Sequence, residues 1–207
     1  MRISGSSAIW ADKYSPRRTS EVLGNSEAVS KIVKWLYVWR GESAPEKKAI
    51  LLAGPTGTGK TAMVYAISNE LGYEVVEVNA SDKRDRETVR RIIGAYALQG
   101  SLFGDTKGRI LLIDEVDGLS GDEDRGGVSA MIETIKETVN PIILTANDKW
   151  DPKIRSLQSH CMILDIRRVQ ASTIINALTK ICQKEGIKPN PEALRIIAEN
   201  SSGDLRS

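Results

Sequence analysis

The chain has 207 residues, 41% apolar and 27% charged, which suits one sizeable core with a smaller appendage and excludes a disordered chain. Lys and Arg number 29 against 27 Asp and Glu, so net charge gives no support for a nucleic-acid or membrane partner, and any basic surface must be local. The two cysteines, Cys161 and Cys182, build no disulfide framework, the opening MRISGSSAIW lacks the apolar centre of a signal peptide, and no run approaches the ~18 apolar residues of a membrane span. A soluble cytoplasmic protein is expected, nuclear if the source is eukaryotic, with no membrane partner.

In chain order, SEAVSKIVKWLYVW (26–39) sets Val29, Ile32, Val33 and Leu36 at helical spacing behind Ser26 as a cap. AILLAG (49–54) is the first strand-like run, and TAMVYAISNEL (61–71) is a helix stopped by Gly72. EVVEVNA (74–80) is a second strand, followed by a helix at RETVRRIIGAYAL (86–98). RILLIDE (109–115) and PIILTAN (141–147) are strands on either side of the helix GVSAMIETIKETV (127–139), and CMILDI (161–166) is a weaker fifth. The strand runs lack polar alternation, as in a parallel sheet buried on both faces. Residues 1–168 therefore read as an α/β three-layer domain. Beyond them only helices follow, ASTIINALTKICQKEG (171–186) and PEALRIIAENSSG (191–203). A boundary is expected near 167–170, with 169–207 the start of a helical domain cut short. Repeats and low-complexity segments are absent from the sequence.

GPTGTGKT, comprising Gly54, Pro55, Thr56, Gly57, Thr58, Gly59, Lys60 and Thr61, fits G-x-x-x-x-G-K-[ST] between a strand run and a helix run. A chance Gly-rich turn is the bland reading, and the two correct flanks argue against it. The glycines let the backbone wrap so that its N–H groups face phosphate oxygens, and the helix behind adds its positive end. Lys60 would reach the β- and γ-phosphates, and the Thr61 hydroxyl would ligate Mg²⁺. Such a loop needs an acid at the end of a second buried strand. ILLIDE supplies Asp114 for the Mg²⁺ shell and Glu115 to orient and polarise the attacking water. Asp117 is close enough in sequence to touch that shell. Asp122, Glu123 and Asp124 fall in SGDEDRGG, whose composition is that of a solvated loop without calcium-loop spacing. Asn147 would lie beside the phosphate loop if the sheet is parallel, although strands also end in plain Asn-Asp turns. His160, Cys161 and Cys182 lack metal-ligand spacing.

The chain resembles the AAA+ ATPases and, within them, clamp loaders of the replication factor C type in their archaeal and eukaryotic large-subunit form. WADKYSP (10–16) is similar to the family's Trp-x-x-Lys-Tyr-x-Pro box, NASD (79–82) to its box after the second strand, and SSGDLR (201–206) to the sensor-2 motif of the helical lid. DEVDG with DRGGV looks like the large-subunit form. The resemblance implies an ATPase subunit that opens a sliding clamp and closes it around primer–template DNA, in a hetero-oligomer with small loader subunits. It also implies ATP and Mg²⁺ as ligands, Tyr14 and Pro16 at the adenine, Asn147 as sensor 1 and Arg206 as sensor 2. A solvated arginine is the bland reading of Arg206. Two other functions stay open, a nucleotide-binding scaffold subunit that hydrolyses little, and another AAA+ motor acting on DNA.

Three finer expectations follow from the same resemblance. Leu98, Leu102 and Phe103, with Gln99 beside them, would plug a pocket on the clamp, or Phe103 packs into its own domain. Lys83, Arg84, Arg86, Arg90 and Arg91 would track DNA phosphates, or form a solvated helix face. The small subunits' Ser-Arg-Cys triplet, whose arginine enters a neighbour's ATP site, here reads Ser159-His160-Cys161. The neutral imidazole is a poor substitute for that guanidinium. The chain would then receive a finger and donate none, unless Arg155 reaches across instead.

Overall fold

Alternate side chains of three central strands feed two different cores, and this period of two builds the layers. The computed structural model describes residues 9–41, 43–80, 108–118, 125–152 and 154–206. The expected helix 86–98, the last two residues of NASD, the basic cluster from Lys83 to Arg91, the Leu98–Phe103 plug and the acids Asp122, Glu123 and Asp124 lie outside them. Strands β1 (Ala49–Ala53), β2 (Glu74–Asn79), β3 (Arg109–Asp114), β4 (Ile142–Ala146) and β5 (Cys161–Asp165) pair in the order β2-β3-β4-β1-β5. Every pairing is parallel. This is the α/β phosphate-loop architecture expected from the sequence.

On one face Leu51, Leu111, Ile113, Ile142 and Leu144 pack with Val128, Met131 and Ile135 of the helix Arg125–Glu137. On the other, Ile50, Leu52, Ile110, Leu112 and Ile143 meet the helices Ser26–Val38 and Lys60–Leu71. Strands β1 and β4 are buried along their whole length. Burial on both faces is what replaces alternation with continuous apolar runs.

The edge strands differ from expectation. β2 and β5 leave several positions exposed or half-buried, because a strand at the border of a sheet has a neighbour on one side only. Arg109 at the start of β3 meets Glu74 of β2 at 2.9 Å. The cap of the first long helix also needs correction. Ser26 is the first helical residue, and Asn25 occupies the cap position in left-handed conformation at φ 52°. The Asn25 side chain turns away from the helix and clasps the chain after β5. Its amide donates to the Arg167 carbonyl at 3.0 Å and its oxygen accepts from the Arg167 N–H at 2.9 Å.

After β5 come the helices Ala171–Lys184 and Pro191–Asn200, the second capped by the Asn190 side chain accepting from the Glu192 N–H at 2.9 Å. Val169, Ile174 and Ala198 make a third, smaller core apart from those of the sheet. Among the described residues no helix is long and apolar enough to cross a membrane.

Candidate nucleotide site

The strand order gathers the site. β4 lies between β3 and β1, so the ends of these three strands deliver the acidic pair, Asn147 and the phosphate loop side by side. Parallel pairing is what puts all three C-terminal ends at one edge, where ligands of open α/β sheets bind. The loop continues the ladder for one residue, with the Gly54 N–H donating to the Ala146 carbonyl at 3.1 Å. Gly54 can carry no side chain, since a Cβ would lie 2.1 Å from the Ile166 carbonyl oxygen. Gly57 and Gly59 take φ 70° and 83°, the left-handed region that bends a loop around an anion at little steric cost. Within the loop the Thr58 hydroxyl donates to the Pro55 carbonyl at 2.8 Å. The helix Lys60–Leu71 then starts with its N-terminal end at the loop.

Lys60 is 8% exposed. Its ammonium donates to the carbonyls of Gly54 (2.7 Å) and Pro55 (3.0 Å) and to Asn147 Oδ1 at 3.1 Å. Burial holds its pKa below the ordinary lysine value, while the carboxylates of Asp114, Asp117 and Glu115 oppose that shift and the charge of Arg206 adds to it. A phosphate group brings the negative charge that such a desolvated cation lacks.

The Thr61 hydroxyl lies 3.2 and 3.1 Å from the two Asp114 oxygens. A hydroxyl and a carboxylate in contact at the mouth of a phosphate loop are hard oxygen donors suited to Mg²⁺. Asn147 therefore reaches Lys60 and Asp114 reaches Thr61. Glu115 stands at φ 55°, with its N–H donated to Thr145 Oγ1 at 3.0 Å. The Thr145 hydroxyl donates in turn to Asp114 Oδ1. Thr145, 1% exposed, escaped the sequence reading. Its signal was a lone hydroxyl inside the apolar run IILTA. Asp117 turns one oxygen to the chain after β4, accepting from the N–H groups of Asn147 (2.8 Å) and Asp148 (3.3 Å).

The C-terminal segment closes on the loop. The Leu205 N–H donates to the Gly57 carbonyl at 2.8 Å, and a Cβ on Gly57 would overlap the Asp204 carboxylate, 1.9 Å from Oδ1. Arg206 follows directly and is exposed. Tyr14, half-buried, donates its hydroxyl to Glu185 Oε1 at 2.5 Å, a carboxylate that also accepts from Lys13 at 2.5 Å. The Lys184 ammonium sits over the Tyr14 ring, 5.6 Å from its centre. Pro16 is half-buried two residues on, and Thr56 is the exposed residue of the loop. At the far side of the sheet His160 is half-buried, Arg155 is exposed, and burial pushes the Cys161 thiol up to about 12.

Comparison with known proteins agrees with this geometry. Residues 50–186 match the ATPase family associated with various cellular activities (AAA). Residues 4–90 match the Rad17 P-loop domain, and residues 176–207 match the RCF1/5-like AAA+ ATPase lid domain. The chain is 45% identical over 199 residues to the replication factor C large subunit of Thermofilum pendens, covering 96% of this chain and 48% of that protein. It is 42% identical over 198 residues to the large subunits of Aeropyrum pernix and of Methanococcus aeolicus, with 96% of this chain and 41% of each covered. The chain thus spans less than half the length of these relatives.

Proposed function

The chain belongs to the AAA family of ATPases, and from that premise we propose that it binds and hydrolyses ATP as the large subunit of a sliding-clamp loader. The observation that carries the ATPase reading is the meeting of Lys60 with Asn147 and of Thr61 with Asp114 at one end of three adjacent strands. The clamp-loader reading draws on the large-subunit relatives and the matched lid, and it brings small loader subunits, a sliding clamp and primer–template DNA as partners. Residues 1–168 hold the nucleotide and residues 169–207 begin the lid.

In this reading the loop N–H groups from Thr56 to Thr61 receive the phosphates, and Tyr14 and Pro16 flank the adenine. Thr61 and Asp114 would hold Mg²⁺, which supplies charge neutralisation at the phosphate oxygens. Lys60 leaves its loop carbonyls for the β- and γ-phosphates. Glu115 accepts a proton from, and orients, the attacking water, and Asn147 and Arg206 hold the γ-phosphate as it separates. Arg206 suits that role by position, since it follows the Leu205 N–H bound to the loop. His160 in place of a finger arginine makes the chain a recipient of a neighbour's arginine and no donor, with Arg155 the competing donor.

Two substitutions test the reading in the assembled loader. Lys60→Ala removes the buried cation and should weaken nucleotide binding by about 10- to 100-fold, the worth of charged hydrogen bonds. Glu115→Gln should keep binding and lose hydrolysis by about 10²–10⁴-fold, since its carboxylate acts on water. Undiminished turnover in Glu115→Gln, with only this site competent, refutes the hydrolytic assignment. A wild-type site that binds ATP and turns none over points to the scaffold role.

A further inference from the structure

Two hydrogen-bonded bridges cross between the ends of β3 and β4, in opposite directions. In the first, β4 supports β3, with Thr145 accepting the Glu115 N–H and donating to Asp114. In the second, β3 supports β4. Asp117, in the 3₁₀ turn Val116–Gly118 just past the acidic pair, accepts both the Asn147 and the Asp148 N–H on Oδ2. Its other oxygen, Oδ1, is buried and has no hydrogen-bond partner among the described residues. Holding two successive N–H groups on one carboxylate oxygen fixes the turn that presents Asn147.

The consequence reaches the phosphate site through one side chain. Asn147 Oδ1 takes the Lys60 ammonium at 3.1 Å, and Lys60 also feels the Asp117 charge. We propose that Asp117 is a positioning residue, whose carboxylate fixes the backbone at Asn147 and Asp148 and so sets the Asn147 side chain against Lys60. With Thr145 it forms a reciprocal brace, so that the acidic pair and Asn147 keep one relative placement when Lys60 moves to a phosphate. Asp117 itself touches no substrate in this scheme. The inference rests on the ATPase reading for its effect on turnover, and on the hydrogen bonds alone for its effect on the backbone.

The test compares Asp117→Ala with Asp117→Asn in the full-length protein within its assembly. The carboxamide oxygen of asparagine can accept the same two N–H groups, whereas alanine accepts neither. In Asp117→Ala, single-residue hydrogen exchange at Asn147 and Asp148 should quicken at least about 10-fold. The rate constant kcat should fall about 10- to 100-fold, while affinity for a fluorescent ATP analogue with Mg²⁺ stays within about 3-fold of wild type. Asp117→Asn should restore the slow exchange and most of kcat. A merely structural residue would instead lower affinity, kcat and melting temperature together. That joint loss, wild-type exchange and kcat in Asp117→Ala, or failure of asparagine to restore slow exchange each overturn the proposal. Should the wild-type assembly hydrolyse no ATP, the ATPase reading fails, and the exchange rates alone decide whether Asp117 holds the turn.

Discussion

The sheet end and the helical end of this chain are held together by different means. β1, β3 and β4 are locked on both faces by fully buried aliphatic side chains. The helices Ala171–Lys184 and Pro191–Asn200 share a core of three buried residues, Val169, Ile174 and Ala198, and leave Ile196 and Ile197 exposed. They join the rest through the hydrogen bonds of Leu205 on Gly57 and of Tyr14 and Lys13 on Glu185, and through Leu23 packed on the small core. A site placed between them has one wall set by extensive packing and another set by a few hydrogen bonds and a small apolar contact. Large apolar burial resists displacement, whereas exposed hydrogen bonds exchange with water at little cost. The arrangement suits a pocket whose floor must stay fixed while its cover responds to the ligand.

The sharpest way to break this comparison is to cut one methyl-rich side chain from each end. Ile143→Ala removes a side chain of zero exposure from the middle of the sheet and should cost about 3–5 kcal/mol. Ile174→Ala in the small core, where neighbours can close the gap, should cost about 2 kcal/mol or less. Denaturant titration of both variants measures the difference. Equal losses would mean that the lid is packed as firmly as the sheet.

A second variant tests the clasp over the loop. Gly57→Ala places a methyl group on the Asp204 carboxylate and a side chain at φ 70°, a conformation costing about 1–2 kcal/mol for an L-residue. Nucleotide affinity should fall about 10-fold or more. Asp204→Gly in the same chain removes the overlap and should recover part of that loss, leaving the backbone strain. If the double variant binds no better than Gly57→Ala, the contact between Asp204 and the loop has no part in the site.

The smallest effect separates the two ends by pH. Hydrogen bonds from Lys13 and Tyr14 hold the Glu185 carboxyl below its ordinary value. Its folded-state pKa is depressed, so its contribution is present above the unfolded value and is lost as pH falls through the folded one. Glu185→Gln should therefore be slightly less stable than the parent at pH 7 and equal to it in acid below the carboxylate range. The Ile143→Ala deficit should stay nearly constant over the same range, because packing does not titrate. A pH-independent Glu185→Gln deficit would show that shape, not charge, is what that clasp supplies.

Much of the sheet and of the loop was legible in the residues. AILLA, RILLI and IILTA are apolar because both of their faces are covered, and Gly72 ends the helix Lys60–Leu71 at φ 77° as its position suggested. Asp114 next to Thr61 followed from an acid ending a buried run. Other features were not legible. Ser26 looked like a cap on type and spacing, but Asn25 took that place while its side chain bonded Arg167, 142 residues away. Nothing in the run IILTA ties Thr145 to the acidic pair until β3 lies against β4.

What the order of residues settled is whatever depends on a few neighbours along the chain: strand and helix periods, the glycine turns and the chemistry of the phosphate loop. Each of these follows from backbone sterics and local burial, which act within a turn or a strand. Tertiary structure alone decided that β4 runs between β1 and β3, that the edges β2 and β5 stand partly in water, and that Asp117 faces Asn147 while Leu205 faces Gly57. Those contacts pair segments some 30 to 150 residues apart. Local sequence does not set their register, because many pairings satisfy the same apolar pattern and only close packing of the whole selects one.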